Sequence, residues 1–193
     1  DALEEINNKI KNINPNNIQA LSGNLTDVET LMSAKIFLES LGSKNYECRI
    51  DNVKIDPSNR CSYIFNTGIS KIEKADVILI VGSNPRWEAS ILNARIRKSY
   101  INNDVKIGLI GNKKNLTYKY NHIGTSLKNL ENILNGKSEF SKKLNSAKNP
   151  LIIIGLSALS RSDGYAVLNI CSKISEKYNF IKDDWNGFNV LNS

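Results

Sequence analysis

No apolar run in this sequence approaches the roughly 18 residues that a helical bilayer span requires, and no signal-peptide pattern opens the chain. Cysteine is scarce. Cys48, Cys61 and Cys171 stand 13 and 110 residues apart, spacings that match no zinc or iron–sulfur ligand motif. Their odd number argues against a secreted disulfide framework, and they are expected to be core residues of a protein in a reducing compartment. His122 is the only histidine and has no carboxylate or cysteine near it in sequence, which makes a poor start for acid–base catalysis. No serine sits in a G-x-S-x-G elbow, so hydrolase chemistry has nothing to rest on. There is no G-x-G-x-x-G fingerprint, and Lys113-Lys114 lack the G-x-x-x-x-G that would make a Walker A loop.

What is present is base. The formal net charge is +7, and it is concentrated: residues 95–149 carry 12 Lys or Arg against 3 Asp or Glu. A positive face near the middle of the chain would suit nucleic acid, anionic lipid or an acidic partner protein. The loop holding Lys113, Lys114, Tyr118, Lys119 and Tyr120 interleaves base with aromatic residues, but no RNP, KH or GXXG pattern supports single-strand binding. Richness in Asn and Lys throughout the chain gives a plainer source for the charge. With no initiator Met before Asp1 and a semi-apolar segment just before Asn192-Ser193, the chain is expected to be a piece of something larger.

The strongest structural signal is Val77-Ile78-Leu79-Ile80-Val81, a β-branched apolar run ending in Gly82-Ser83-Asn84-Pro85. It predicts a strand buried on both faces. Ala89, Leu92 and Ile96, with Ile91 beside them, predict a helix over 88–98, and Val105 to Gly111 predicts a second parallel strand. Pro150 to Gly155 predicts a third, followed by a loop over 156–163 and a long helix carrying Tyr165, Leu168, Cys171 and Ile174. Upstream, helical spacing runs from Leu3 to Ile10, Ile18 to Leu21 is a short strand, and Thr26 with Glu29 makes a capping box. The helix it opens carries Met32 and Phe37 as core candidates and stops at Gly42. A short strand over Glu47 to Ile50, an ordered loop over 51–62 and a turn or strand at Tyr63-Ile64-Phe65 lead to a helical turn before Val77. Short helices are expected over 127–134 and 140–147, a loop over 112–121, and a tail over 181–193 that uses Trp185 and Phe188 to cover an apolar edge. The fold class is α/β, a three-layer α/β/α domain with a doubly wound, mainly parallel sheet, taken as one domain.

Ligands of such sheets bind at the carboxyl ends of the strands. Gly82, Ser83, Asn84 and Pro85 lie there, with backbone N–H groups available to an anion, and Gly155 ends a second strand in the same way. Arg86, Arg95 and Arg97 bracket the turn and its helix. If buried they require partners, with Glu88, Asp76 or a neighbouring chain the candidates. Trp87 is a candidate interface anchor. Composition and spacing stop at an α/β domain with a weak pocket.

The segment Glu73 to Lys98, E-K-A-D-V-I-L-I-V-G-S-N-P-R-W-E-A-S-I-L-N-A-R-I-R-K, closely resembles the large iron–sulfur subunits of proton-pumping NADH:quinone oxidoreductase, respiratory complex I (the G subunit in bacteria, the 75-kDa subunit in mitochondria). The resemblance continues through D-V-K-I-G-L-I-G at Asp104 to Gly111, L-T-Y-K-Y-N-H-I-G at Leu116 to Gly124, and Pro150 to Gly164. It is detectable from Asp27 almost to the end. The wider family is the molybdopterin oxidoreductases, formate dehydrogenases and nitrate reductases among them. It implies a formate dehydrogenase-like α/β fold that in other members wraps a bis-pterin cofactor holding molybdenum or tungsten. It also implies that residues 1–193 are part of such a domain, with iron–sulfur clusters in an N-terminal part outside them. Leu109-Ile110-Gly111-Asn112 stands where relatives often show Asp-Pro-Arg, so no cofactor is expected here. The implied role is a scaffold within an assembly passing electrons from NADH to quinone, with the isolated segment inactive. The expected partners are other peripheral-arm subunits, with no nucleic acid and no direct membrane span. The expected place is the cytoplasmic or matrix side of the membrane. Arg86, Trp87, Arg95, Arg97, Tyr118 and Tyr120 become candidate subunit contacts, and Gly82, Ser83, Asn84, Pro85 and Gly155 the marks of a vestigial pocket. A true molybdopterin enzyme is the alternative, and a basic nucleic-acid-binding module a remoter one.

Overall fold

A computed structural model describes residues 1–23, 25–48 and 52–192. It divides into two compact units, residues 1–52 and 53–193. Among the described residues no helix is long and apolar enough to cross a membrane.

The first unit holds helix α1 (Ala2–Ile10), strand β1 (Ala20–Leu21), helix α2 (Val28–Ser40) and strand β2 (Tyr46–Glu47), with the two strands parallel. Helix α2 starts one residue later than the capping box predicted. Asp27, not Thr26, is the N-cap, its Oδ1 accepting the Thr30 N–H at 2.8 Å. The short carboxylate reaches that donor directly, and the same contact holds Asp27 below the usual carboxylate range. Gly42, at φ +83°, ends the helix while its N–H and that of Ser43 close on the Glu39 and Leu38 carbonyls. Met32 and Phe37 are not core residues, being 52% and 50% exposed, and Leu38 is the only fully buried residue of α2. The cause is the apolar pattern of the helix. Val28, Met32 and Ile36 line one side and Leu31 and Leu38 another, and so small a unit cannot cover both. The expected strand over 47–50 is limited to its first residue plus Tyr46, and Arg49 and Ile50 lie outside the described residues.

In the second unit a 3-10 turn (Ile69–Lys74) delivers the chain into β3 (Val77–Val81). Helices α3 (Pro85–Glu88) and α4 (Ser90–Asn103) follow, then β4 (Lys106–Ile110), β5 (Asn121–Gly124), α5 (Leu127–Leu134), α6 (Glu139–Asn145) and β6 (Pro150–Gly155). The chain ends with α7 (Leu156–Leu159), α8 (Gly164–Lys177), a hairpin of β7 (Ile181–Lys182) and β8 (Trp185–Asn186), and β9 (Phe188–Leu191). The main sheet is wholly parallel in the order β5-β4-β3-β6-β9. Alternation along the strands explains the layers. Leu79, Val81, Ile152 and Ile154 pack with α5, α6 and α8, while Ile78, Ile80, Leu151 and Ile153 pack with α4 and the 3-10 turn. Strands covered on both faces read as unbroken apolar runs. Asp76 ties β3 to β6 at their start, its carboxylate accepting the Lys148 and Asn149 N–H groups at 2.5 and 2.9 Å.

Four local expectations change. The helix after β3 is two helices, broken at Ala89, whose φ of −152° is extended. A one-turn helix, α7, lies in the expected 156–163 loop. Asn121–Gly124 is an edge strand rather than the end of a loop. Its outer side is uncovered, so Asn121 and His122 are tolerated there. Phe188–Leu191 is a parallel edge strand rather than a covering tail, although Trp185 does bury against the sheet and donates its Nε1–H to the Pro150 carbonyl at 2.8 Å. The segment around Ile64 then covers that edge, through a Phe65–Asn189 bridge and the Val190 N–H on the Ile64 carbonyl.

Candidate functional site

The chain starts the sheet at its centre, builds outward to β5, then crosses back to β6. The reversal between β3 and β6 is the topological switch point of an open parallel sheet. A crevice of about 470 Å³ opens there, at the strand ends. Gly82, Ser83 and Asn84 form one wall, Gly111 and Asn112 with Lys114 another, and Ser157, Ala158, Arg161 and Asp163 a third.

Of the predicted pocket residues, Gly82, Ser83 and Asn84 line the crevice, whereas Pro85 and Gly155 do not. Gly82 turns at φ +59°, and a Cβ there would lie 2.5 Å from that of Ala158. A Cβ at Gly155 would collide with the Gly82 carbonyl oxygen, so both strands need glycine for this approach. The Ser157 hydroxyl donates to the same Gly82 carbonyl, fastening α7 to the turn. Gly155 is buried at the end of β6, against the Gly82 turn, and Pro85 is buried as the first residue of α3.

Glu88 decides the electrostatics. Its Oε2 accepts from the Ser83 hydroxyl at 2.8 Å, and its Oε1 accepts from the Asn84 N–H at 2.7 Å. One of the backbone donors expected for an anion, the Asn84 N–H, thus holds a carboxylate of the chain itself, together with the Ser83 hydroxyl. The Arg161 guanidinium is likewise engaged, with Nε and Nη2 on the two Asp163 oxygens at 2.7 and 2.9 Å. This fork holds the Asp163 carboxyl below its ordinary range. The Asn84 side-chain oxygen is buried without a hydrogen-bond partner.

None of the three arginines is buried, Arg86 and Arg97 being exposed and Arg95 half-buried, so the partners expected of buried arginines are not required. Arg86 donates to the Asn115 carbonyl at 3.2 Å and Arg97 to that of Thr117, so both hold the 112–120 loop instead of Glu88 or Asp76. Arg95 meets Glu73 at 2.5 Å, and Lys98 meets the other Glu73 oxygen at 2.8 Å. Lys98 and then Arg95 hold the Glu73 carboxyl below its usual range. Tyr118 lies in the core, only 8% exposed, and so is not placed as a surface contact. Its hydroxyl donates to Asn93 Oδ1 at 2.9 Å, and burial pushes the phenol up. Tyr120 clasps the loop through its hydroxyl, donating to the Lys114 carbonyl and accepting the Lys114 N–H. The basic-aromatic loop is thus folded on itself. Trp87, by contrast, is 84% exposed beside Ile69 and Ile91 on an apolar groove of about 590 Å³.

His122 accepts or donates at Nε2 to the Gly111 carbonyl, 2.7 Å away, as a strand-to-turn tie. Cys48 and Cys61 are exposed, contrary to the expectation of core cysteines. Only Cys171 is internal, where burial raises its thiol and leaves it inert. Among the described residues no group of three or more His, Cys, Asp or Glu is placed to hold a metal ion.

The family model for molybdopterin oxidoreductases matches residues 1–193. The chain belongs to the molybdopterin oxidoreductase family. Within it, the G subunit of NADH-quinone oxidoreductase from Rickettsia typhi is 42% identical over 193 residues, all of this chain and 29% of that protein. The same subunit from Rickettsia bellii is 41% identical over 193 residues, 28% of its length. The chain therefore spans less than a third of the curated relatives it matches. Its parallel α/β sheet is the architecture of the family, and its homology to these relatives runs the full 193 residues.

The family implies a pterin cofactor whose anionic groups seek hydrogen-bond donors and cations. Here Glu88 takes the Ser83 hydroxyl and the Asn84 N–H, and Asp163 takes the crevice arginine. A phosphate arriving at the turn would face a carboxylate. The residues present do not fit that group. Gly82, Ser83 and Asn84 were legible as a strand-end turn, but Glu88 was read only as a candidate arginine partner, and Arg161 and Asp163 were missed. An acidic residue in the first helical turn after Asn84-Pro85 was the signal for Glu88.

Proposed function

We propose that this chain is a scaffold region of the large peripheral-arm subunit of an NADH:quinone oxidoreductase, in which electrons pass from NADH to quinone coupled to proton translocation. The observation that carries the reading is the 42% identity, along all 193 residues, to the G subunit of NADH-quinone oxidoreductase. In this reading residues 1–193 are part of the molybdopterin-oxidoreductase-like domain, and cluster-binding domains belong to the remaining polypeptide. The redox centres lie elsewhere, and this region supplies shape and contact surface on the cytoplasmic or matrix side. Trp87 is the candidate anchor for another peripheral-arm subunit. Its indole is solvent-facing and flanked by apolar residues, whereas the side chains of Arg86, Arg95 and Arg97 already have intramolecular partners.

The test is assembly. Trp87→Ala in the full-length polypeptide is expected to leave its folding intact and reduce its recovery in the peripheral arm on native gels. Unchanged recovery removes Trp87 as the anchor. Normal arm assembly and electron transfer after replacement of the whole segment by an unrelated α/β domain would overturn the scaffold reading. A second reading, an active molybdopterin oxidoreductase, is favoured by the crevice volume at the switch point. Stoichiometric molybdenum or tungsten with pterin in the anaerobically purified full-length protein, lost on changing Gly82 or Ser83, would establish it in place of the first.

A further inference from the structure

We infer that Glu88 is a resident anion that closes the strand-end turn to phosphate-bearing ligands. The inference rests on the scaffold reading and assigns the loss of the ancestral ligand class to one side chain. The crevice lies at the switch point and is large enough for a small ligand, so space does not exclude one. The turn also binds an anion: the Glu88 carboxylate, one oxygen on the Ser83 hydroxyl and the other on the Asn84 N–H. That internal ligand is tethered five residues from Ser83 and four from Asn84, so its effective concentration at the donors is far above that of a dissolved competitor.

Charge acts in the same direction. Glu88 and Asp163 place two carboxylates on the crevice walls, and the Arg161 guanidinium is engaged by the second. Lys114 is the remaining cation among the lining residues. An incoming phosphate would have to displace Glu88 from both donors and then lie against its charge. Removing the carboxylate frees a hydroxyl and a backbone N–H already aimed at the two oxygens of one anion. Hydrogen bonds to a charged group are each worth about ten- to a hundredfold in affinity.

The experiment is calorimetric titration of inorganic pyrophosphate into the full-length polypeptide, as wild type, Glu88→Ala, Glu88→Gln and Glu88→Ala with Ser83→Ala. Wild type is expected to bind no pyrophosphate in the millimolar range. Glu88→Ala is expected to gain at least about tenfold in affinity, the lower bound for one such bond. The added Ser83→Ala change should remove most of that gain. Glu88→Gln keeps the side-chain shape without the charge and should gain less. Wild-type binding equal to that of Glu88→Ala overturns the inference, as does a folded Glu88→Ala that gains nothing. If circular dichroism shows Glu88→Ala unfolded, Glu88→Gln carries the test, and no gain there also overturns it. Metal and pterin analysis of the wild type separates the two readings. Pterin found there defeats the scaffold reading, whereas pyrophosphate binding without pterin defeats only the role of Glu88.

Discussion

Asn189→Ala should cost the second unit about 3 kcal/mol of stability, within a range of roughly 2–5 kcal/mol. Asn189 sits fully buried in the middle of β9, the edge strand beside β6. Its Nδ2 donates to Thr67 Oγ1 at 2.9 Å and to the Ile152 and Gly187 carbonyls at 3.1 Å each, and its Oδ1 accepts the Thr67 N–H at 2.8 Å. One side chain therefore joins β9, β6 and the segment that covers the edge. Not every bond lost leaves an orphan. Gly187 O keeps the Ile152 N–H, and Thr67 Oγ1 still donates to the Asn186 carbonyl. The Thr67 N–H, on a residue 5% exposed, keeps no partner, and a buried orphan donor costs about 1–3 kcal/mol. The lost amide bonds add about 1 kcal/mol each where nothing replaces them. Asn189→Asp sharpens the test. It keeps the acceptor for Thr67 but turns a charge toward two carbonyls, so it should be less stable than Asn189→Ala near neutrality. Its folded pKa would be raised, so the deficit should shrink as pH falls. Urea unfolding followed by the fluorescence of buried Trp185 gives the midpoint and slope for each variant. A loss under about 1 kcal/mol for Asn189→Ala, or Asn189→Asp no worse than Asn189→Ala at pH 7, would refute the clamp.

Gly155→Ala should lose about 1–3 kcal/mol in the same assay, because its new Cβ meets the Gly82 carbonyl and lies 2.8 Å from Ser83 Cβ, so backbone must move. Tyr118→Phe should lose about 1–2 kcal/mol by leaving the Asn93 Oδ1 without its donor in the core, and no loss would mean that water replaces the hydroxyl. Glu73 carries a folded pKa below its ordinary value, so its pairing stabilises above the ordinary glutamate range and is lost as pH falls through it. Unfolding midpoints from about pH 6 to pH 3 should therefore decline less steeply in Glu73→Gln than in wild type, an effect screened by salt because the pair is partly exposed.

What could be read from sequence divides along burial. Strands β3 and β6 announce themselves because both faces are covered, which forces a run of Val, Ile and Leu with no polar interruption. The edge strands β5 and β9 escape because one needs few apolar residues and the other carries Asn189 at its centre, a residue that looks like a loop until its four partners are known. Tyr118 was legible in principle. Leu116, Tyr118 and Tyr120 alternate with Thr117 and Lys119, and the alternation sorts the buried set from the exposed one even outside a named strand. The arginine pairings were not legible. Arg86 and Arg97 find carbonyls 29 and 20 residues away in a loop whose path no local pattern specifies.

The strand-end turn shows why a site's position and its chemistry have different legibility. Position follows from topology: a buried strand that stops at glycine, in a sheet that reverses its winding there, marks the crevice. Chemistry depends on whether the donors at that position are free. Asn84 begins a one-turn helix with Pro85 as its first residue, and such a start needs an acceptor for the N-cap N–H. Glu88 supplies it from within the same turn, and the same carboxylate reaches Ser83. A local capping requirement is thereby met by the group that removes the anion site. The two roles are one contact, so a residue restoring phosphate binding must also leave α3 capped by the phosphate itself. Ligand binding and local helix stability should accordingly rise together in Glu88→Ala, a coupling absent from a pocket that is merely empty.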